Sequence, residues 1–108
     1  MRMIATPELL QEITNRLVLR FQPVRIILFG SQARGTTHAH SDVDILLVLP
    51  SCDNKHQAMA DALNTLNGLL VSTDVVVTTP KEIAERGELV GSVLRPALRE
   101  GRVLYERA

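Results

Sequence analysis

At 108 residues, with 45% apolar and 22% charged side chains, the chain fits one folded domain with an aliphatic core and is too short for separate catalytic and substrate domains. Twelve basic and twelve acidic residues cancel, five of each sign up to Asn54 and seven of each beyond it, so neither half is a binder of nucleic acid or another polyanion by charge alone. The single cysteine, Cys52, excludes an internal disulfide, and with neither an apolar leader nor a run of about eighteen apolar residues the expectation is a cytoplasmic protein without a membrane span.

Thr6-Pro7-Glu8 has the form of an N-cap with proline at the first helical position. Leu9, Leu10, Ile13, Leu17 and Phe21 then recur at helical spacing, so a helix is predicted to end before Pro23. "VRIILF", Val24 to Phe29, reads as a short strand that stops at Gly30, and "DVDILLVLP" as a second strand ended by Pro50. From Asp53 to Leu70, Ala58, Met59, Ala62, Leu63, Leu66, Leu69 and Leu70 trace the apolar face of an amphipathic helix. "TDVVVTT" is a third strand, and Thr79-Pro80-Lys81-Glu82 a capping-box candidate. Gly87, Gly91 and Pro96 break the next stretch into short helical pieces, after which "RVLYE", Arg102 to Glu106, is a possible edge strand. The order implies an α+β, two-layer fold: a small mixed sheet with helices packed on one face, occupying residues 1–108 as a single domain. The opposite face is expected to be open to a ligand.

Two polar islands interrupt the first two strands. Asp42 and Asp44 lie two apart in a strand, so both carboxylates share one face, while Val43 and Ile45 point to the other. Two carboxylates so close repel unless a cation lies between them, and Mg²⁺, which takes oxygen ligands, suits the role. The plain alternative is a pair of solvated residues at a strand entrance. Asp74, at the start of "TDVVV", joins them if the third strand pairs beside the second, and is otherwise a turn residue. Gly30-Ser31 supplies a sharp corner whose amides and hydroxyl can face an anion, or else an ordinary turn.

Gly30-x-x-x-x-Gly35-Thr36-Thr37 approaches the P-loop pattern, but Thr36 stands where the lysine belongs and a new strand begins too soon for a full P-loop helix. Arg34 is placed either to neutralise phosphate or to be solvated. Ser41 either caps the loop or touches a phosphate. His38 and His40 are either metal ligands or bases, or solvated loop residues, and Cys52 has no sequence neighbour that suggests activation. Arg95 and Arg99 share a helix face at i,i+4, either to meet an acidic partner or to form a solvated face.

Gly-Ser, ten residues, then Asp-x-Asp is the signature of the minimal nucleotidyltransferases of the DNA polymerase β-like superfamily. "GSQARGTTHAHSDVD" matches it without a gap, and the chain resembles that family over nearly its whole length. The resemblance implies that Asp42 and Asp44 hold two Mg²⁺ ions, that Asp74 completes one of the metal sites, and that Gly30 and Ser31, with Arg34 and Ser41 as further candidates, bind the phosphates of ATP. It implies transfer of AMP to a hydroxyl with release of pyrophosphate. Stand-alone members resemble the antitoxin half of HEPN/MNT toxin–antitoxin modules, which implies a helical HEPN-type toxin as hetero-oligomeric partner and a tyrosine of that toxin as acceptor. A small-molecule hydroxyl acceptor, or a catalytically weak nucleotide- and partner-binding module, are the alternatives.

Overall fold

In the computed structural model, residues 6–30, 43–69, 72–87 and 94–107 are described. Thr6 caps the first helix, α1 (Pro7–Phe21), its hydroxyl accepting the Leu9 amide at 3.1 Å. Leu10, Ile13, Thr14 and Leu17 form the buried stripe, and the Thr14 hydroxyl donates to the Leu10 carbonyl at 2.8 Å. The helix stops where the sequence places its end: Gln22 turns left-handed (φ 50°), its amide closes on the Val18 carbonyl, and Pro23 comes next.

Strand β1 (Arg25–Phe29) pairs antiparallel with β2 (Val43–Val48), and β2 continues through α2 (Lys55–Thr65) into β3 (Thr73–Thr78), which lies parallel to it. Two short helices, α3 (Pro80–Arg86) and α4 (Leu94–Glu100), lead to β4 (Arg102–Glu106), antiparallel to β1. The sheet order is β3-β2-β1-β4, so β4 is an edge strand as expected, and β3 is the other edge. This is the α+β arrangement with a small mixed sheet that the element order implies.

The main core lies between the sheet and the first two helices. Ile26, Leu28, Val43, Ile45, Leu47, Val75 and Val77 meet Leu10, Ile13 and Leu17 of α1 and Ala58 and Ala62 of α2. The alternating residues point the other way, and there the expectation of a bare face needs correction. Ile27, Leu46 and Val48 form a second cluster with Leu94 and Ala97 of α4. The strands are apolar on both sides, so the second side also requires cover, and α4 supplies it over part of the sheet. Among the described residues, no helix is long and apolar enough to cross a membrane.

Helix α2 is shorter than its periodicity predicts. Asn54 caps it, accepting the Gln57 amide at 3.0 Å, and it ends at Thr65 rather than near Leu70. Arg16 of α1 takes the terminal carbonyls, donating to Thr65 at 3.3 Å and Asn67 at 3.1 Å, and Gly68 adopts φ +91° just beyond. Leu63, counted on the apolar face from sequence, is 43% exposed. It sits on the flank of a helix whose buried line is Ala58 and Ala62, continued by Leu66 just beyond its end.

The Thr79-x-x-Glu82 box is half formed. The Thr79 hydroxyl accepts the Glu82 amide at 3.2 Å, but the Glu82 carboxylate goes elsewhere. It accepts the hydroxyl of fully buried Thr78 at 2.5 Å and pairs with Lys55 at the start of α2. The Lys55 bond first, and then the Thr78 hydroxyl, hold the Glu82 carboxyl below the ordinary carboxylate range. A depressed folded-state pKa contributes stability that is fully present above the unfolded value and is lost as pH falls through the folded one. Glu82→Gln is therefore expected to cost about 1 kcal/mol at neutral pH. In denaturant titrations across pH, the gap to wild type should close only below the ordinary glutamate range; a gap independent of pH down to full protonation would contradict the pairing.

Candidate active site

Asp44 is the second residue of β2 and Asp74 the second of β3, and the parallel register makes them direct partners. The register is held beyond both ends of the paired segment. The Val43 amide donates to the Ser72 carbonyl, and the Leu49 amide to the Thr78 carbonyl, each at 2.9 Å. Neighbouring strands put the two Cα atoms about 4.8 Å apart. Val43, Ile45, Val75 and Val77 belong to the core under α1 and α2, so pleating turns Asp44 and Asp74 to the opposite face. The sequence leaves open whether the third strand lies beside the second; it does, and the two carboxylates share one face of the sheet.

Phe29 of β1 is the antiparallel partner of Asp44, so Phe29, Asp44 and Asp74 form one row across three strands. One pleat further along β2 and β3, Leu46 and Val76 form the next row on the same face. Asp44 is half-buried, and Asp74, on the edge strand, is exposed. Gly30 comes directly after Phe29 with φ +76°, a left-handed conformation that L side chains rarely adopt, and its Cα packs against the Asp44 carboxylate. The sequence marks Gly30 as a corner but carries no sign of this contact, because Gly30 and Asp44 meet only through the β1–β2 register.

Among the expected site residues, Gly30, Asp44 and Asp74 are brought to one end of the sheet, where β1 leaves and β2 and β3 begin. Asp42, Ser31, Arg34 and Ser41 lie outside the described residues, as do His38 and His40. Tyr105, the only tyrosine, pairs with Ile26 and packs into the core under α1 and α2, on the face away from the carboxylates.

Among the described residues, no cluster of three or more histidine, cysteine, aspartate or glutamate side chains could hold a metal; the site offers the Asp44 and Asp74 pair. Its donors are carboxylate oxygens only, a set suited to a hard divalent cation such as Mg²⁺, which is commonly held by one or two carboxylates while other ligands come from water and phosphate.

The sequence matches the model of the nucleotidyltransferase domain family over residues 10–101, and the chain belongs to that family. Its fold is similar to that of a Sulfolobus solfataricus protein taken to be a nucleotidyltransferase, with a TM-score of 0.62 at 22% identity over 91% of this chain and 78% of the other. It is also similar to a toxin–antitoxin structure with AMP-PNP, with a TM-score of 0.58 at 21% identity over 91% of this chain and 73% of the other. A mutant of the toxin–antitoxin pair MntA–HpeT matches with a TM-score of 0.56 at 19% identity, again over 91% and 73%. No curated protein matches the sequence.

Like charges directly opposite each other on neighbouring strands destabilise a sheet by roughly 0.2–1 kcal/mol. In EDTA at low ionic strength, Asp74→Asn should therefore raise the thermal midpoint. Adding Mg²⁺ should raise the midpoint of the wild type more than that of the variant. A variant no more stable than wild type in EDTA, with the same response to Mg²⁺, would mean the two carboxylates do not share a site.

Proposed function

We propose that the chain acts as a Mg²⁺-dependent nucleotidyltransferase domain that transfers AMP from ATP to a hydroxyl, with the tyrosine of a helical HEPN-type toxin as the favoured acceptor and neutralisation of that toxin as the outcome. The observation that carries the reading is the Asp44↔Asp74 pairing at the same sheet end as Gly30, in a chain of the nucleotidyltransferase domain family. The antitoxin role is supported by the likeness in fold to two toxin–antitoxin structures, one of them with AMP-PNP.

Each residue then has a distinct task. Asp44, together with Asp42 two residues earlier in the sequence, would hold two Mg²⁺ ions, and Asp74 would complete the site nearer the acceptor. When bound, such a pair of ions neutralises charge on both the attacking and the leaving oxygens of an in-line displacement. Gly30 and Ser31 would orient the β- and γ-phosphates, with Arg34 and Ser41 as further phosphate contacts. The acceptor oxygen attacks the α-phosphorus, a new P–O bond forms, and the bond to the β-phosphate breaks to release pyrophosphate. The hydroxyl proton passes to the Asp74 carboxylate as general base. Exposure on an edge strand suits Asp74 to this step, because an acceptor carried by a second protein can approach it from beyond that edge.

The reading is of a cytoplasmic protein in a hetero-oligomer with its acceptor. Self-modification at Tyr105 is disfavoured, since β4 would have to leave the sheet to bring that side chain round to the carboxylate face.

The test pairs two measurements on single variants: ATP affinity in Mg²⁺ and the rate of AMP transfer to the co-expressed product of the neighbouring gene, followed by intact mass. Asp44→Asn should lose binding and transfer together. Asp74→Asn should keep most of its ATP affinity while transfer falls by at least about two decades, from loss of the base together with a metal ligand. Transfer by Asp74→Asn at the wild-type rate would remove Asp74 from the mechanism. Equal ATP affinity in Mg²⁺ and in EDTA would overturn the metal site.

A further inference from the structure

Gly30 stands one residue past the Phe29↔Asp44 pair, and the space that its missing side chain would fill is already taken. A Cβ placed there would fall on Oδ2 of Asp44, closer than real Cβ contacts ever come, and would lie 3.2 Å from Asp44 Cγ and 3.5 Å from Asp44 Cβ. All three of these contacts are with the Asp44 side chain. The left-handed turn therefore does more than redirect the chain out of the sheet: it lays a bare Cα against one specific carboxylate.

We propose that Gly30 is a positioning residue for Asp44, its absent side chain being the slot in which the carboxylate is seated. The inference rests on the reading of Asp44 as a metal ligand for its functional consequence, and on the packing alone for its structural part. On this face, Asp44 has Phe29 as its partner on β1, Asp74 on β3, and Leu46 as the next residue of β2 pointing the same way. For an Asp44 carboxylate driven out of the slot, these neighbours among the described residues are apolar at Phe29 and Leu46 and acidic at Asp74. Turning toward Asp74 narrows the space between two like charges and removes the separation a cation would occupy. The slot thus holds Asp44 on the β1 side of the row and keeps the two carboxylates apart.

Two effects of adding a side chain at position 30 are separable. Positive φ is tolerated by asparagine better than by alanine, because the short amide can bond locally. Overlap with the carboxylate comes from the Cβ, which both residues possess. If backbone strain were the whole reason for glycine, asparagine would be the milder replacement; if the slot is the reason, the two replacements displace Asp44 alike.

The experiment uses the full chain, with Mn²⁺ as a stand-in for Mg²⁺ because it accepts the same oxygen donors. Mn²⁺ affinity without nucleotide is measured for wild type, Gly30→Ala and Gly30→Asn. Urea midpoints are measured for Gly30→Ala in the wild-type and Asp44→Ala backgrounds. Groups that orient metal ligands typically change affinity by about 10- to 100-fold. Both Gly30 variants should bind Mn²⁺ more weakly by about that factor, with asparagine no better than alanine. The midpoint loss caused by Gly30→Ala should be smaller in the Asp44→Ala background, where the slot is vacant. Gly30→Asn binding Mn²⁺ like wild type would overturn the proposal, and so would equal midpoint losses in the two backgrounds. If wild type itself binds no Mn²⁺, the metal reading of the site fails on its own, and the coupling between positions 30 and 44 still decides whether the slot exists.

Discussion

The parallel pairing of β2 with β3 is the constraint on which the site depends. Side chains alternate with a period of two, so sliding β3 by one residue would turn Asp74 toward α1 and α2 and send Val75 and Val77 out of the core. Burial of those valines therefore fixes where Asp74 points. Helix α2 is part of the same device, since Ala58, Ala62 and Leu66 pack into the core that holds both strands. The Lys55–Glu82–Thr78 cluster ties the start of α2 to the far end of β3. An acidic pair at one end of the sheet is thus held by apolar packing on the other side of the sheet and by polar bonds at its other end.

Much of this was legible in the chain. Capping residues and the 3.6-residue period mark α1 to within a residue, because Thr6, Pro7 and Pro23 are local signals that need no tertiary context. The strands are legible as β-branched runs, and the shared face of carboxylates comes from strand pleating. Legibility fails where the outcome depends on contacts between distant segments. The carbonyl that ends α2 is taken by Arg16, forty-nine residues away from Thr65 in sequence, a contact that periodicity cannot register. The Glu82 carboxylate leaves its capping box for Lys55, a partner twenty-seven residues earlier. Cover of the second face by α4 is hidden because seven residues with a proline at the third position give too little pattern to assign a packing side.

The site divides in the same way. Gly30 and Asp44 are legible as candidates from residue type and spacing, Asp74 only on the condition that the third strand pairs beside the second, and the family signature that contains the first two stands in a chain that matches the nucleotidyltransferase domain over residues 10–101. What spacing cannot supply is that Asp44 and Asp74 are register partners and that Asp44 rests against Gly30. Both facts arise from strand pairing: Asp44 is joined to Asp74 through the parallel ladder and to the Gly30 corner through the antiparallel one. Its place on the central strand β2, between β1 and β3, makes it the residue through which the two halves of the site meet.

The central claim is that this register builds a divalent-cation site for a nucleotide. Crystals grown with Mn²⁺ and a non-hydrolysable ATP analogue test it directly, through the anomalous signal of the metal. The account predicts a Mn²⁺ peak within oxygen-ligand distance, roughly 2.0–2.2 Å, of both the Asp44 and the Asp74 carboxylates and of a phosphate oxygen of the analogue. An ordered nucleotide whose metal touches neither aspartate, or a nucleotide bound without metal on the opposite face of the sheet, would contradict it.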